Sequence, residues 1–272
     1  MRSDGSRHNS RERAAGPSLH AELRGRADHG SWVLLLHGLG SSSADWPPAL
    51  AALEKEHRVV LVDLPGHGRS ASCRPALTVE AAAAAVDAVL EGLGPATVHA
   101  VGLSLGGCVA LALALRSPER VRSLTLVNAF ASLGASGPRD VIRLLARVGL
   151  VAAAPMPVVA GHVARGLFPR PEQDDLRRAA AASLARTSRL AYGAAMLALA
   201  RFDARSRLTD VRCPTLVVAG TDDRTVPLAA KRALAAAIPG ASLLVVPGSG
   251  HATTHDAAET FARALLDFIG TH

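Results

Sequence analysis

Six short apolar runs constrain this chain more than any other feature: "WVLLL" (32–36), "RVVLVD" (58–63), "TVHAVG" (97–102), "SLTLVN" (123–128), "TLVVAG" (215–220) and "SLLVVP" (242–247). Turn formers bound them, and apolar residues fill consecutive as well as alternate positions. A strand that is apolar on both faces must be covered on both faces, as in the parallel sheet of an α/β protein. Helical patterns occupy the intervals, at about residues 45–56, 78–92, 105–116, 228–238 and 256–269. Their boundaries carry start and stop signals. Asp45 is expected to cap a first turn that tolerates Pro47 and Pro48, Thr78 precedes Val-Glu-Ala, and Pro239-Gly240 closes the helix after Pro227. Such alternation builds right-handed βαβ units, so the expected class is α/β: a mostly parallel twisted sheet flanked by helices. The weakly alternating "LHAELRG" (19–25) reads as an edge strand.

At 272 residues the chain is long for one ordinary domain and short for two, which points to one core with an insertion. Residues 1–18 read as a disordered tail, 19–131 and 207–272 as the core, and 132–206 as the insertion. That insertion carries helical patterns only, among them "RDVIRLLARVGLV" and "EQDDLRRAAAASLARTSRLAYGAAMLALARF". It is expected to form a helical cap over one end of the sheet. The alternative is that its helices pack on the sheet face, and periodicity does not separate the two.

Composition excludes several function classes. Apolar residues make up 49% of the chain and charged residues 19%, the balance of a large core. The net charge of +7 comes almost wholly from arginine, since Lys55 and Lys231 are the two lysines. The arginines are scattered and aromatics are only 3%, too few for base-stacking platforms, so nucleic acid is not an expected partner. Cys73, Cys108 and Cys213 are far apart with no Cys-x-x-Cys pair. That argues against a disulfide framework and a structural zinc site, and for a reducing compartment. The polar, basic start "MRSDGSRHNSRERAAGPS" lacks the apolar core of a secretory signal, and no run is long enough to span a bilayer. A cytoplasmic protein with no membrane partner is the expectation.

Chemistry concentrates in Gly102-Leu103-Ser104-Leu105-Gly106-Gly107, where a strand runs into a helix. A serine raised on so tight a turn needs small neighbours, which Gly102 and Gly106 supply. The helix that follows aims its free amides at the same spot, so the N–H of Leu105 is a candidate oxyanion donor. A serine hydroxyl needs a base, and the base an orienting carboxylate. Asp222 and Asp223 follow the strand "TLVVAG", and His251 follows "SLLVVP" in Gly-Ser-Gly-His. All the candidates thus fall at carboxyl ends of strands, where parallel sheets place their ligands.

Read jointly, "LLLHGLGSSSADW" (34–46), "LVDLPGHGRS" (61–70), "GLSLGG" (102–107), "GTDDRTVP" (220–227) and "GSGH" (248–251) resemble an α/β-hydrolase-fold serine hydrolase. The family's acid lies three residues after the glycine and four before the proline, which selects Asp223 over Asp222. Its second oxyanion donor follows the His-Gly pair and falls on Leu39. The resemblance implies a Ser104–His251–Asp223 triad that cleaves a small ester, lactone or thioester through an acyl-enzyme, without metal or organic cofactor. A serine nucleophile points away from the family's haloalkane dehalogenases and epoxide hydrolases. Two alternatives stay open. One is carbon–carbon bond hydrolysis or an elimination as in menaquinone synthesis, although those eliminating enzymes carry Tyr and Arg where this chain has Leu103 and Cys108. The other is a non-catalytic small-molecule receptor.

Outside that constellation, His37 and His67 are expected to shape loops, His99 to be a satisfied strand histidine, and His255 to lie at the surface or rim. Cys108 reads as a core filler, and Trp46 with Ser41, Ser42 and Ser43 as a candidate entrance lining. Arg143, Arg147, Arg165, Arg177 and Arg178 either bind an anionic acid or form solvated helix faces.

Overall fold

All six apolar runs form strands, because each buries side chains on both faces of one sheet. The computed structural model describes residues 19–25, 30–47, 50–70, 77–133 and 148–272. The expected tail 1–18, Cys73, Arg143 and Arg147 lie outside the described residues. The strands are β1 (Ala21–Gly25), β2 (Trp32–Leu36), β3 (Arg58–Val62), β4 (Val98–Leu103), β5 (Val121–Val127), β6 (Thr215–Gly220) and β7 (Ser242–Val246). They pair in the order β1-β3-β2-β4-β5-β6-β7. All neighbours are parallel except β1, which lies antiparallel on β3 as the expected edge strand.

Helices cover both faces: α1 (Ala51–Glu56), α2 (Val79–Leu93), α3 (Leu105–Arg116), α7 (Leu228–Ala237), α8 (Thr253–Asp256) and α9 (Ala258–Gly270). Between β5 and β6 come α4 (Met156–Leu167), α5 (Asp174–Arg186) and α6 (Arg189–Arg201). Leu34, Leu36, Ala100, Leu124 and Val217 pack toward α2, α3 and α7. The intervening Val33, Leu35, Val101, Val127 and Val218 pack toward Leu53 of α1 and Phe261, Leu265 and Ile269 of α9. Helix α3 lies across the middle of the sheet, and Leu105 through Leu115 are all buried, which is why this helix is apolar all round.

Thr78 caps α2 by accepting from the Ala81 N–H at 3.1 Å, and Gly94 closes that helix at φ 83°. The expected helix at 45–56 is shorter. Asp45 ends a 3₁₀ turn (Ser43–Asp45), and α1 starts only at Ala51. The residue before a proline is driven to extended backbone, and Trp46, before Pro47, has ψ 133°. Asp45 therefore does not cap α1; its carboxylate turns back to Ser41 and Ser42.

Helices α4–α6 hold a small core of their own, with Val159, Ala160, Leu184 and Tyr192 at its centre. Ala195, Ala198 and Leu199 of α6 also join the core on the α3 side of the sheet. A Cβ on Gly40 would lie 2.2 Å from Leu184 and 3.0 Å from Tyr192, so these helices press directly on the loop after β2. Leu36 pairs with Gly102, Leu103 with Val127, Val127 with Val218, and Gly220 with Val246. That register brings the exits of five adjacent strands to one edge.

Candidate active site

Ser104 occupies the exit of β4 at φ 53°, ψ −111°, backbone that a residue with a Cβ adopts only under strain. The glycines make this possible. A Cβ on Gly102 would lie 2.2 Å from the Gly106 carbonyl oxygen, and one on Gly106 would lie 2.0 Å from that of Leu36. Both obstacles are backbone, so neither can swing aside. The Ser104 N–H donates to the Val127 carbonyl at 2.9 Å, tying the turn to β5. Among the described residues, the N–H groups of Leu39 and Leu105 donate to no protein group.

His251 reaches this hydroxyl from the loop after β7. Its Nε2 is 2.8 Å from Ser104 Oγ and its Nδ1 is 2.9 Å from Asp223 Oδ2. With the proton on Nδ1, the ring donates to the carboxylate and accepts from the serine hydroxyl. Ser104, His251 and Asp223 are all buried. Asp222 is exposed, and its carboxylate accepts instead from the Thr221 hydroxyl at 2.9 Å. Asp223 Oδ1 accepts from the N–H groups of Thr225 (2.7 Å) and Val226 (3.0 Å). Burial works to raise the Asp223 pKa, but the His251 and Lys231 charges and hydrogen bonds outweigh it and hold the carboxyl well below the usual carboxylate range.

Residues that sequence reasoning passed over hold these loops together. Asn128, fully buried at the end of β5 and at φ 46°, accepts from the Gly220 N–H at 2.9 Å. Its Nδ2 lies 2.8 Å from the His251 carbonyl and 2.8 Å from Thr253 Oγ1. One side chain thus joins the exits of β5, β6 and β7. Asp256 braces the histidine loop by accepting from the Gly250 N–H at 2.7 Å and the Ser249 hydroxyl at 2.6 Å. Lys231, fully buried on α7, donates to Asp223 Oδ2 at 2.9 Å. A signal for Lys231 was present in the sequence: it shares the i, i+3, i+4 spacing of the buried Leu234 and Ala235.

The loop histidines have structural partners. His37 donates from Nδ1 to the Gly38 carbonyl (2.8 Å) and accepts at Nε2 from the Leu64 N–H (2.9 Å), setting the path that leads to Leu39. His67 donates to the Pro65 carbonyl at 3.0 Å. Burial, with help from the neighbouring His37, brings the His67 pKa down to about 3. His99 meets the Ser123 hydroxyl at 2.8 Å, and burial lowers it to about 4. His255 is half-buried, with Nε2 donating to the Asp45 carbonyl at 2.7 Å. Cys108 is fully buried, and burial pushes its thiol up to about 12, which suits a core filler and not a nucleophile.

Ser41, Ser42, Trp46, Leu103 and His255 border a cavity of about 10 Å³, room for one water. Ser43 does not join them; its N–H donates to Asp63 at 2.6 Å. Arg177 and Arg178 pair with Asp174, and Arg178 also with Asp175, on their own helix, while Arg165 is exposed. No helix among the described residues is long and apolar enough to cross a membrane.

A serine on a strained strand-to-helix turn, facing a histidine–aspartate pair at the exits of a parallel sheet, is the arrangement of an α/β hydrolase, and the chain belongs to that family. The family's model, described as "alpha/beta hydrolase fold", matches residues 31–258. Over 271 residues the chain is 37% identical to a Variovorax paradoxus protein named "Putative carbamate hydrolase RutD", covering 92% of this chain and 96% of that one. Among solved structures it is similar to a hydrolase from Pseudomonas aeruginosa, with 29% identity, a TM-score of 0.85 and coverage of 93% and 95% of the two chains. It is also similar to the enol-lactonase from Burkholderia xenovorans, with 27% identity, a TM-score of 0.87 and coverage of 94% and 97%.

Proposed function

We propose that the protein is a serine hydrolase that transfers the acyl group of a small carboxylic ester, lactone or thioester to water, with Ser104 as nucleophile. The observation that carries this reading is the imidazole of His251, bridging Ser104 Oγ at 2.8 Å and Asp223 Oδ2 at 2.9 Å. His251 Nε2 takes the hydroxyl proton as Oγ attacks the carbonyl carbon. Asp223 keeps the other ring proton on Nδ1 and stabilises the imidazolium. The amides of Leu39 and Leu105 receive the oxyanion; a donor of this kind contributes about 10²–10³-fold to turnover. The imidazolium returns its proton to the leaving group, leaving an acyl-Ser104. Water then attacks that ester with His251 again as base, releasing the carboxylic acid and the free hydroxyl. Residues 132–206 are proposed to act as a cap over this mouth, an assignment supported by the contact of Leu184 and Tyr192 with Gly40 and by the Ser183–Asp45 hydrogen bond.

A second reading keeps the same machinery and changes the acyl group. The name of the Variovorax relative favours a carbamate, whose carbonyl carbon would be attacked in the same way to give a carbamoyl-Ser104. Turnover of short-chain 4-nitrophenyl esters, lactones, thioesters and carbamates, together with labelling by a fluorophosphonate, tests both readings. Labelling at Ser104 that Ser104→Ala abolishes, with turnover of one acyl class, is the expected result. Binding of these compounds with no turnover and no labelling would make the protein a receptor.

A further inference from the structure

Lys231 has no part in the reaction as written above, yet it is built into the triad. Its three ammonium hydrogens meet three acceptors: Asn128 Oδ1 at 2.9 Å, the Gly220 carbonyl at 3.1 Å and Asp223 Oδ2 at 2.9 Å. The side chain is completely buried, in a protein whose other cationic side chains are nearly all arginines. Burying an ammonium carries a desolvation penalty that its partners must offset, and an apolar residue on this face of α7 would avoid it. The oxygen it meets is the same Oδ2 that receives the His251 Nδ1–H.

We propose that Lys231, seated by Asn128 and Gly220, is a positioning residue for the reaction of Ser104: it holds the Asp223 carboxylate in line with the imidazole and offsets the carboxylate's pull on the imidazolium proton. The inference rests on the triad reading given above. A carboxylate alone favours the protonated ring, and a protonated ring cannot accept the serine proton. A cation on the same oxygen opposes that effect, so the base stays available at lower pH. The two 2.9 Å contacts share one carboxylate oxygen, so the ammonium lies on the atom that receives the ring N–H.

Among the described residues, Lys231 and Asp223 face this part of the ring, while Arg170, beside Gly248 on the histidine loop, pairs with Glu172. On the loop of Asp223, Asp222 and Arg224 are exposed, as is Arg232 on α7. Arg205, Arg207 and Asp210, on the turn that packs against α7, are also exposed. On the histidine loop, Asp256 is bound to Ser249 and Gly250, and His255 to Asp45 and Thr254. Burial lowers the Lys231 pKa and Asp223 works against that fall.

The test is the pH dependence, from pH 4.5 to 9, of Ser104 labelling by a fluorophosphonate and of ester turnover, in the unaltered protein, Lys231→Met and Lys231→Arg. In Lys231→Met the acid limb of both profiles is expected to move up by about one to two pH units, with kcat on the alkaline plateau falling less than about tenfold. Lys231→Arg restores the charge and is expected to return the limb most of the way. A folded Lys231→Met with an unmoved limb overturns the proposal. If Lys231→Met does not fold, Lys231→Gln, which keeps a donor and loses the charge, is read in the same way. If neither folds, Lys231 is a structural residue and the proposal fails. Absence of Ser104 labelling in the unaltered protein would instead remove the triad reading itself.

Discussion

Replacing Asp223 by asparagine changes one atom and reverses the logic of the site. Oδ1 must stay an oxygen, because it accepts from the N–H groups of Thr225 and Val226 at 2.7 and 3.0 Å. The new NH₂ therefore takes the place of Oδ2 and faces two former donors, His251 Nδ1 and Lys231 Nζ, each 2.9 Å away. Lys231 loses its acceptor at that position, and an amide hydrogen aimed at the ring selects the His251 tautomer with a bare Nδ1 and a proton on Nε2. That proton points at Ser104 Oγ, so the ring no longer accepts the hydroxyl proton. In serine proteases built on the same three groups, this exchange of aspartate for asparagine lowers kcat by about 10⁴-fold through the wrong tautomer. A similar factor is expected here, equivalent to about 5.5 kcal/mol of barrier. The assay is steady-state hydrolysis of a short-chain 4-nitrophenyl ester, with circular dichroism to show that the fold survives. Asp222→Asn, altering an exposed carboxylate, is the control and is expected to stay within about twofold of the unaltered protein. Asp223→Asn within tenfold of the unaltered protein, or Asp222→Asn as the worse variant, would refute the reasoning.

Three further outcomes are expected. His67 and His99 are held neutral by burial, with pKa values of about 3 and about 4 against about 6.5 in the unfolded chain. Both take up a proton on unfolding once the pH drops below about 6.5, so stability is lost progressively from there toward pH 4, by at most about 2.7 kcal/mol per pH unit; urea titrations at pH 7 and pH 5 check this, and equal midpoints would contradict it. Gly106→Ala drives a Cβ to 2.0 Å from the Leu36 carbonyl oxygen, so the turn must shift and both ester turnover and thermal stability are expected to fall, by about 3 kcal/mol or more in stability. Thr78→Ala removes the acceptor for the Ala81 N–H at 3.1 Å, and a loss of about 1 kcal/mol with unchanged kcat/KM is expected from thermal melts and ester assays.

Much of this molecule is legible one element at a time. The six strands, the cap of α2 at Thr78 and the crowding around Ser104 follow from local pattern, because strand burial, helix capping and tight turns involve residues close in sequence. The start of α1 departs from its local pattern because the capping signal at Asp45 competes with the conformational restriction that Pro47 imposes on Trp46. Asn128 reads as the polar end of a strand, and nothing near it in sequence announces that its partners are Gly220, His251 and Thr253.

By itself, then, the amino-acid order determined an α/β sheet, a serine on a glycine-flanked turn, and an acid and a histidine at the exits of two later strands. Only the tertiary structure decided which atoms meet: the imidazole Nε2 on Ser104 Oγ, its Nδ1 on Oδ2 of Asp223, and a buried ammonium on that same carboxylate oxygen. The physical reason is one of range. Periodicity and capping act over a few residues, whereas the hydrogen bonds between His251 and Ser104 and between Lys231 and Asn128 join residues 147 and 103 positions apart, which the sheet register brings together.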